Sequence, residues 1–244
     1  MAHLWDSSGT HGNINYKTHM RTKTLLCLAA IAAGTATSMA QSNVYSLNVV
    51  GYVNTTLKPG YTLIANPLNT TNNTLLGLFG GVGGALPDGT QVYLWTGTTF
   101  NTGGRDDTLG DANGWTPDAF ENNQLPPGVG AFIKNNTANP ITVTFVGEVL
   151  QGSLTNHIGA GYQLIASMVP QAGQVDTVLG MPAVDGDQVY QWNNTTGAYT
   201  TFTHDSILNT PPPWGATVPN IGVGEGFFSN KGAAVDWVRN FTVQ

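Results

Sequence analysis

The chain predicts an all-β fold, built as a tandem duplication of two small antiparallel β-barrel or sandwich domains. Three observations carry this. The first is composition: 31 Gly, 32 Thr and 23 Asn together fill 86 of the 244 positions, while only 9% of residues are charged. A helical bundle draws on Ala, Glu, Lys, Leu and Arg, and that vocabulary is thin here. The second is a set of short β-branched and aromatic runs bounded by Gly, Pro, Asn and Asp. The third is self-similarity at a spacing near one hundred residues.

The chain opens on segments that do not belong to the fold. Met20-Arg21-Thr22-Lys23 is a basic start, Leu25–Ala33 is apolar, and Ser38-Met39-Ala40 presents small residues at a cleavage site. This is the pattern of a secretory signal peptide over 20–40, cleaved after Ala40, and residues 1–19 read as an upstream, non-native segment. The apolar run is far shorter than the roughly 20 residues of a membrane span. Residues preceding Cys27 lack the small side chain of a lipidation site. The mature chain 41–244 then carries five cations against thirteen carboxylates, a net charge of −8, and contains no cysteine. Five dispersed cations cannot build a nucleic-acid-binding face. With no disulfide to draw on, the exported protein depends on its core.

Three blocks recur in order. Gly60-Tyr61-Thr62-Leu63-Ile64-Ala65 returns as Gly161-Tyr162-Gln163-Leu164-Ile165-Ala166. Asp88-Gly89-Thr90-Gln91-Val92-Tyr93-Leu94-Trp95 returns as Asp185-Gly186-Asp187-Gln188-Val189-Tyr190-Gln191-Trp192. Gly128-Val129-Gly130-Ala131-Phe132 returns as Gly224-Glu225-Gly226-Phe227-Phe228. A fourth segment, Val49–Val53, matches Phe145–Val149, and Phe145 lies 96 residues before Phe241. These matches set repeat 1 at 41–148 and repeat 2 at 149–244. The Val-Tyr-x-Trp blocks follow Asp-Gly turn signals, and Ile141–Val146 alternates apolar with polar, so both read as strands. Helical periodicity is confined to Asn73–Leu78 and Val175–Leu179, one or two turns each. Pro126-Pro127 and Pro211-Pro212-Pro213 punctuate loops.

The Gly-aromatic-x-Leu-Ile-Ala opening, the Val-Tyr-x-Trp centre and the Gly-x-Gly-x-Phe close together resemble a small repeated β-domain of bacterial secreted and cell-surface proteins. There the opening usually reads Gly-Trp-Asn-Leu-Ile-Ser and the close Pro-Gly-x-Gly-Tyr-Trp. Tyr61 and Tyr162 stand here in place of Trp, and Phe132 and Phe228 supply the closing aromatic. The resemblance implies architecture and an extracellular or cell-surface location, and no chemistry.

Candidate sites are few. Aromatics recurring between the repeats read as core. Trp115, Trp214 and Trp237 lie in irregular segments or near the terminus and are the candidate ligand-binding rings, since flat apolar faces suit sugar rings. The run Arg105–Gly114 collects oxygen ligands: Asp106, Asp107, Asp111 and Asn113, with Asp118 downstream, form a candidate Ca²⁺ loop that departs from the EF-hand pattern. No other cofactor is expected. Catalysis finds little footing, because the mature chain has two histidines, His157 and His204, no nucleophile elbow and no zinc-spaced pair. The expectation is a secreted, non-enzymatic structural or adhesive protein of the cell envelope or extracellular matrix, partnered by itself or by extracellular polysaccharide. The alternative is a carbohydrate-binding module reading neutral glycans through its loop tryptophans.

Overall fold

The computed structural model describes residues 49–209 and 211–243. The upstream segment, the signal peptide with its cleavage site, and Cys27 lie outside the described residues. The chain is nearly all β, in antiparallel sheets none of which closes on itself. Fifteen strands and a single α-helix are found among the described residues.

Each half begins and ends on a long ribbon. β1 (Val50–Leu57) pairs with β7 (Ile141–Glu148), and β8 (Gly152–Ile158) pairs with β15 (Val235–Phe241). Leu57 stands opposite Ile141 and Ile158 opposite Val235. This register makes Val143 and Trp237 equivalent, 94 residues apart, and both are buried. The sequence match of Phe145 with Phe241 is therefore two residues out of step. Strand side chains repeat every two residues, so a short apolar alternation reads equally well when slid by two.

Between the ribbons lie the main sheets. β2 (Gly60–Ala65), β6 (Gly130–Asn135), β3 (Gln91–Trp95), β4 (Phe100–Arg105) and the two-residue β5 (Trp115–Thr116) follow one another across the first. β9 (Gly161–Ala166), β14 (Gly226–Lys231), β11 (Gln188–Asn193) and β12 (Ala198–Thr203) follow in the corresponding order across the second. The remaining strands, β10 (Gly173–Gln174) and β13 (Asn220–Ile221), form a minimal pair.

The helix α1 (Leu75–Phe79) overlaps the stretch with helical periodicity, Asn73–Leu78, and runs one residue past it. The Thr74 hydroxyl accepts the Gly77 N–H at 3.0 Å, an N-cap that terminates the preceding loop, and Leu75 and Phe79 face the interior. Val175–Leu179 forms turns instead. Its β-branched Val175, Thr177 and Val178 disfavour helix, and the Thr177 hydroxyl bonds the Gln174 side chain rather than a helical carbonyl.

The central sheets are apolar on both faces. Ile64, Val92 and Ile133 point into a first core with Leu57, Phe79, Val143 and Phe145. Ile165, Val189 and Phe227 point into a second with Ile158, Leu179 and Trp237. Their immediate strand neighbours Leu63, Phe132, Leu164 and Phe228 point the other way and meet in a third cluster, ringed by Tyr93, Trp95, Tyr190 and Trp192. The runs Leu-Ile and Phe-Phe, apolar at consecutive positions, are what a strand buried on both faces requires.

Candidate functional site: an aromatic seam

The third cluster is the seam between the halves, and its contacts are reciprocal. The Trp95 indole N–H donates to the Tyr162 carbonyl at 2.9 Å, and the Trp192 indole N–H donates to the Tyr61 carbonyl at 3.0 Å. The Ala65 N–H donates to the Gly224 carbonyl at 2.8 Å, and the Ala166 N–H to the Gly128 carbonyl at 3.0 Å. Trp95 meets Phe228 and Trp192 meets Phe132, each edge-on with centroids 5.3 Å apart.

The Gly-x-Gly motif is explained by this approach. Gly128 and Gly224 hold positive φ angles of 96° and 70°, which turn their carbonyls toward the opposite half. A Cβ on Gly226 would stand 2.8 Å from the Ile64 carbonyl oxygen and 3.2 Å from the Gly130 Cα, so only hydrogen fits there.

Along the seam the rings do not fill the surface. They leave two adjoining hollows of about 270 and 240 Å³. Tyr61, Tyr93, Phe100, Phe132 and Trp192 line the first, Trp95, Tyr162, Tyr190 and Phe228 line the second, and Tyr199 belongs to both. Phe100 packs on Trp95 as Tyr199 packs on Trp192, with centroids 5.0 Å apart in each pair. Tyr61, Phe100, Tyr162 and Tyr199 remain 40, 38, 47 and 41% exposed, a large ring area to leave facing water.

The polar atoms sit at the margins. The Tyr61 and Tyr93 hydroxyls lie 3.4 Å apart, and Tyr93 donates to Gln91 at 2.8 Å. At the other end the Tyr162 and Tyr190 hydroxyls lie 3.2 Å apart, and Tyr190 donates to Gln188 at 2.7 Å. Burial, reinforced by Tyr61, pushes the Tyr93 hydroxyl up to about 12, and burial alone takes Tyr199 to about 12. Hydrogen bonding to Tyr162, with burial, raises Tyr190. At neutral pH the seam therefore offers ring faces and neutral hydroxyls. Among the described residues the one cation against a ring of the seam is Lys134, whose Nζ lies 5.5 Å from the Tyr61 centroid; no carboxylate lines either hollow.

The tryptophans selected from the sequence are elsewhere. Trp115, Trp214 and Trp237 are 0, 5 and 3% exposed, and they present no face on which a sugar could stack. Their indole N–H groups donate inward, to the Gly80 carbonyl at 3.1 Å, the Asp176 carboxylate at 2.8 Å and the Leu179 carbonyl at 2.9 Å. Trp115 and Trp214 are in fact a matched pair. Each lies nine residues after an Asp, Asp106 or Asp205, whose carboxylate accepts two successive backbone N–H groups. Each ring is also covered by the residue before that Asp, Arg105 at 5.5 Å and His204 at 5.1 Å. The shared nine-residue Asp-to-Trp spacing is present in the sequence, and in the structure both rings are buried.

The acidic loop is a folded turn. Asp106 accepts Thr108 and Leu109 N–H groups, Asp107 pairs with the Arg105 guanidinium, and Asp111 accepts the N–H groups of Asn113 and Trp115. The Trp115 hydrogen bond, the largest influence, holds Asp111 below the usual carboxylate range. Asn113 meets Arg105 through its backbone carbonyl. Asp118, three residues beyond Trp115, is exposed. Among the described residues no three His, Cys, Asp or Glu side chains gather so that they could hold a metal ion. In the second half, both the His204 ring and the Ser206 hydroxyl bond Asp185, at 3.0 and 2.7 Å, so these groups build a turn around that carboxylate. Exposed His157 pairs with Asp236.

No protein-family model, curated protein or solved structure matches the chain.

Proposed function

We propose that the protein is an exported, non-enzymatic binding protein of the cell envelope or extracellular matrix, acting by adhesion or assembly, with the aromatic seam as its contact surface. The observation that carries this reading is the pair of ring-lined hollows with four aromatics left open to solvent. Soluble monomers rarely leave such a contiguous apolar patch without a use for it. The signal-peptide pattern supports export, and the −8 charge of the mature chain on so few ionisable groups supports a weakly charged outer surface.

We further infer a tandem duplication, with each unit a small open sandwich. The shared strand order, the reciprocal indole bonds and the matched Asp-to-Trp turns support it. Purified 41–244 should be retained on insoluble envelope material of the source cells, or self-associate on sedimentation. Retention or association should fall when Tyr61 and Tyr162 are both replaced by Ala. A protein that stays monomeric at high concentration and is not retained refutes the proposal.

A further inference from the structure

The seam is assigned a ligand class by its own layout: we infer that it takes a neutral polysaccharide chain laid across both hollows, one stretch of sugar per hollow. This rests on the seam being the contact surface.

Four features select the ligand. The floor is aromatic, so the ligand must offer apolar faces. The margins carry phenol hydroxyls and the side-chain amides of Gln91 and Gln188, so the ligand must carry hydroxyl groups around those faces. A pyranose ring has both, with axial C–H groups above and below and hydroxyls around its edge. Charge gives the third feature: no carboxylate lines either hollow to hold a cation, and among the described residues Lys134 is the only cation placed against a ring of the hollows. An uncharged chain meets neither repulsion nor a buried unpaired charge there.

The fourth feature is repetition. The hollows are built from corresponding strand positions and meet at Tyr199. Two like hollows side by side suit a polymer whose units repeat, because the second unit binds at high effective concentration once the first is seated. A single apolar side chain or a small aromatic would need only one hollow.

Calorimetric titration of purified 41–244 with β-1,4-linked glucose and N-acetylglucosamine oligomers of one to six units tests this. For at least one series, affinity should rise about tenfold or more from the disaccharide to the hexasaccharide. Tyr199→Ala, which removes the ring common to both hollows, should abolish binding, whereas Tyr199→Phe should retain most of it. Circular dichroism would establish that both variants fold. Flat affinity with length overturns the two-hollow arrangement. If no oligosaccharide binds but a blocked Phe-containing peptide does, or envelope retention still depends on Tyr61 and Tyr162, the glycan assignment fails and the seam-binding proposal stands. If retention is absent as well, both fail.

Discussion

Replacing Trp115 by Ala separates a core tryptophan from a surface platform. The ring is fully buried, so the substitution removes its transfer free energy and leaves a cavity, together about 3–5 kcal/mol. The Gly80 carbonyl also loses its indole donor at 3.1 Å, about 1 kcal/mol. The Arg105 guanidinium loses the ring 5.5 Å away, about 0.5–1 kcal/mol more. These contributions overlap, because the cavity and its lining relax together, so the expected cost is about 4–5 kcal/mol. Against a total stability of about 5–15 kcal/mol, that leaves a marginal or unfolded protein. Trp115→Phe keeps most of the packing and should cost only about 1–2 kcal/mol. Urea unfolding followed by far-UV circular dichroism measures both. A platform ring on the surface would change stability by less than about 0.5 kcal/mol. A Trp115→Ala midpoint unchanged within that margin would refute the placement of this ring in the core.

Three further outcomes follow from the same structure. Gly226→Ala forces a methyl against the Ile64 carbonyl oxygen at 2.8 Å and should cost about 1–3 kcal/mol, while Gly232→Ala, with open space around its Cβ, should be neutral; equal urea midpoints would show that the halves are not in close contact. The Lys231 ammonium and Asp187 carboxylate lie 2.7 Å apart, both buried, where the first half has Asn135 and Thr90. Asp187→Ala should therefore destabilise by about 3–5 kcal/mol by stranding the lysine, and converting the pair to Thr and Asn together should recover part of that loss; equal single and double mutants would refute the pairing. Finally, Tyr93 and Tyr199 titrate near 12 when folded and near 10 when unfolded. Between those values the unfolded chain binds fewer protons, so this contribution to stability is complete below about pH 10 and declines as pH rises toward 12. An absorbance titration of tyrosinate should show a late class of tyrosines that vanishes in urea, and a single class near 10 would contradict the seam burial.

The repeated blocks were legible because each does one local job. Gly-aromatic-x-Leu-Ile-Ala makes a strand with two apolar faces, Asp-Gly makes a turn, and a run of alternating residues makes a ribbon, all within a few residues of chain. Packing accounts for the recurring Phe132 and Phe228, which lie buried beside Leu63 and Leu164 in the third cluster. It does not account for Tyr61 and Tyr162, which the structure leaves 40 and 47% exposed, and Tyr199 lies outside the recurring blocks. Irregular chain around Trp115 and Trp214 suggests a surface loop, whereas both rings are buried. Here the loops are tight turns tied by Asp106 and Asp205, and they carry the rings inward. The acidic run resembled a cation loop for a related reason, since carboxylates that accept backbone N–H groups in turns have the same spacing as ligands.

By itself the sequence determined an all-β chain, its strand and turn blocks, and a composition too poor in cations for a nucleic-acid face. These follow from local sterics, alternation and charge count, which need no knowledge of distant contacts. Only the tertiary structure decided which aromatics are interior and which form a surface. Ring exposure depends on how closely the two halves approach at Gly130 and Gly226, and on which sheet face the opposite half covers. That approach joins residues about 100 positions apart, so nothing in the neighbourhood of Tyr199 marks it as the ring common to two hollows.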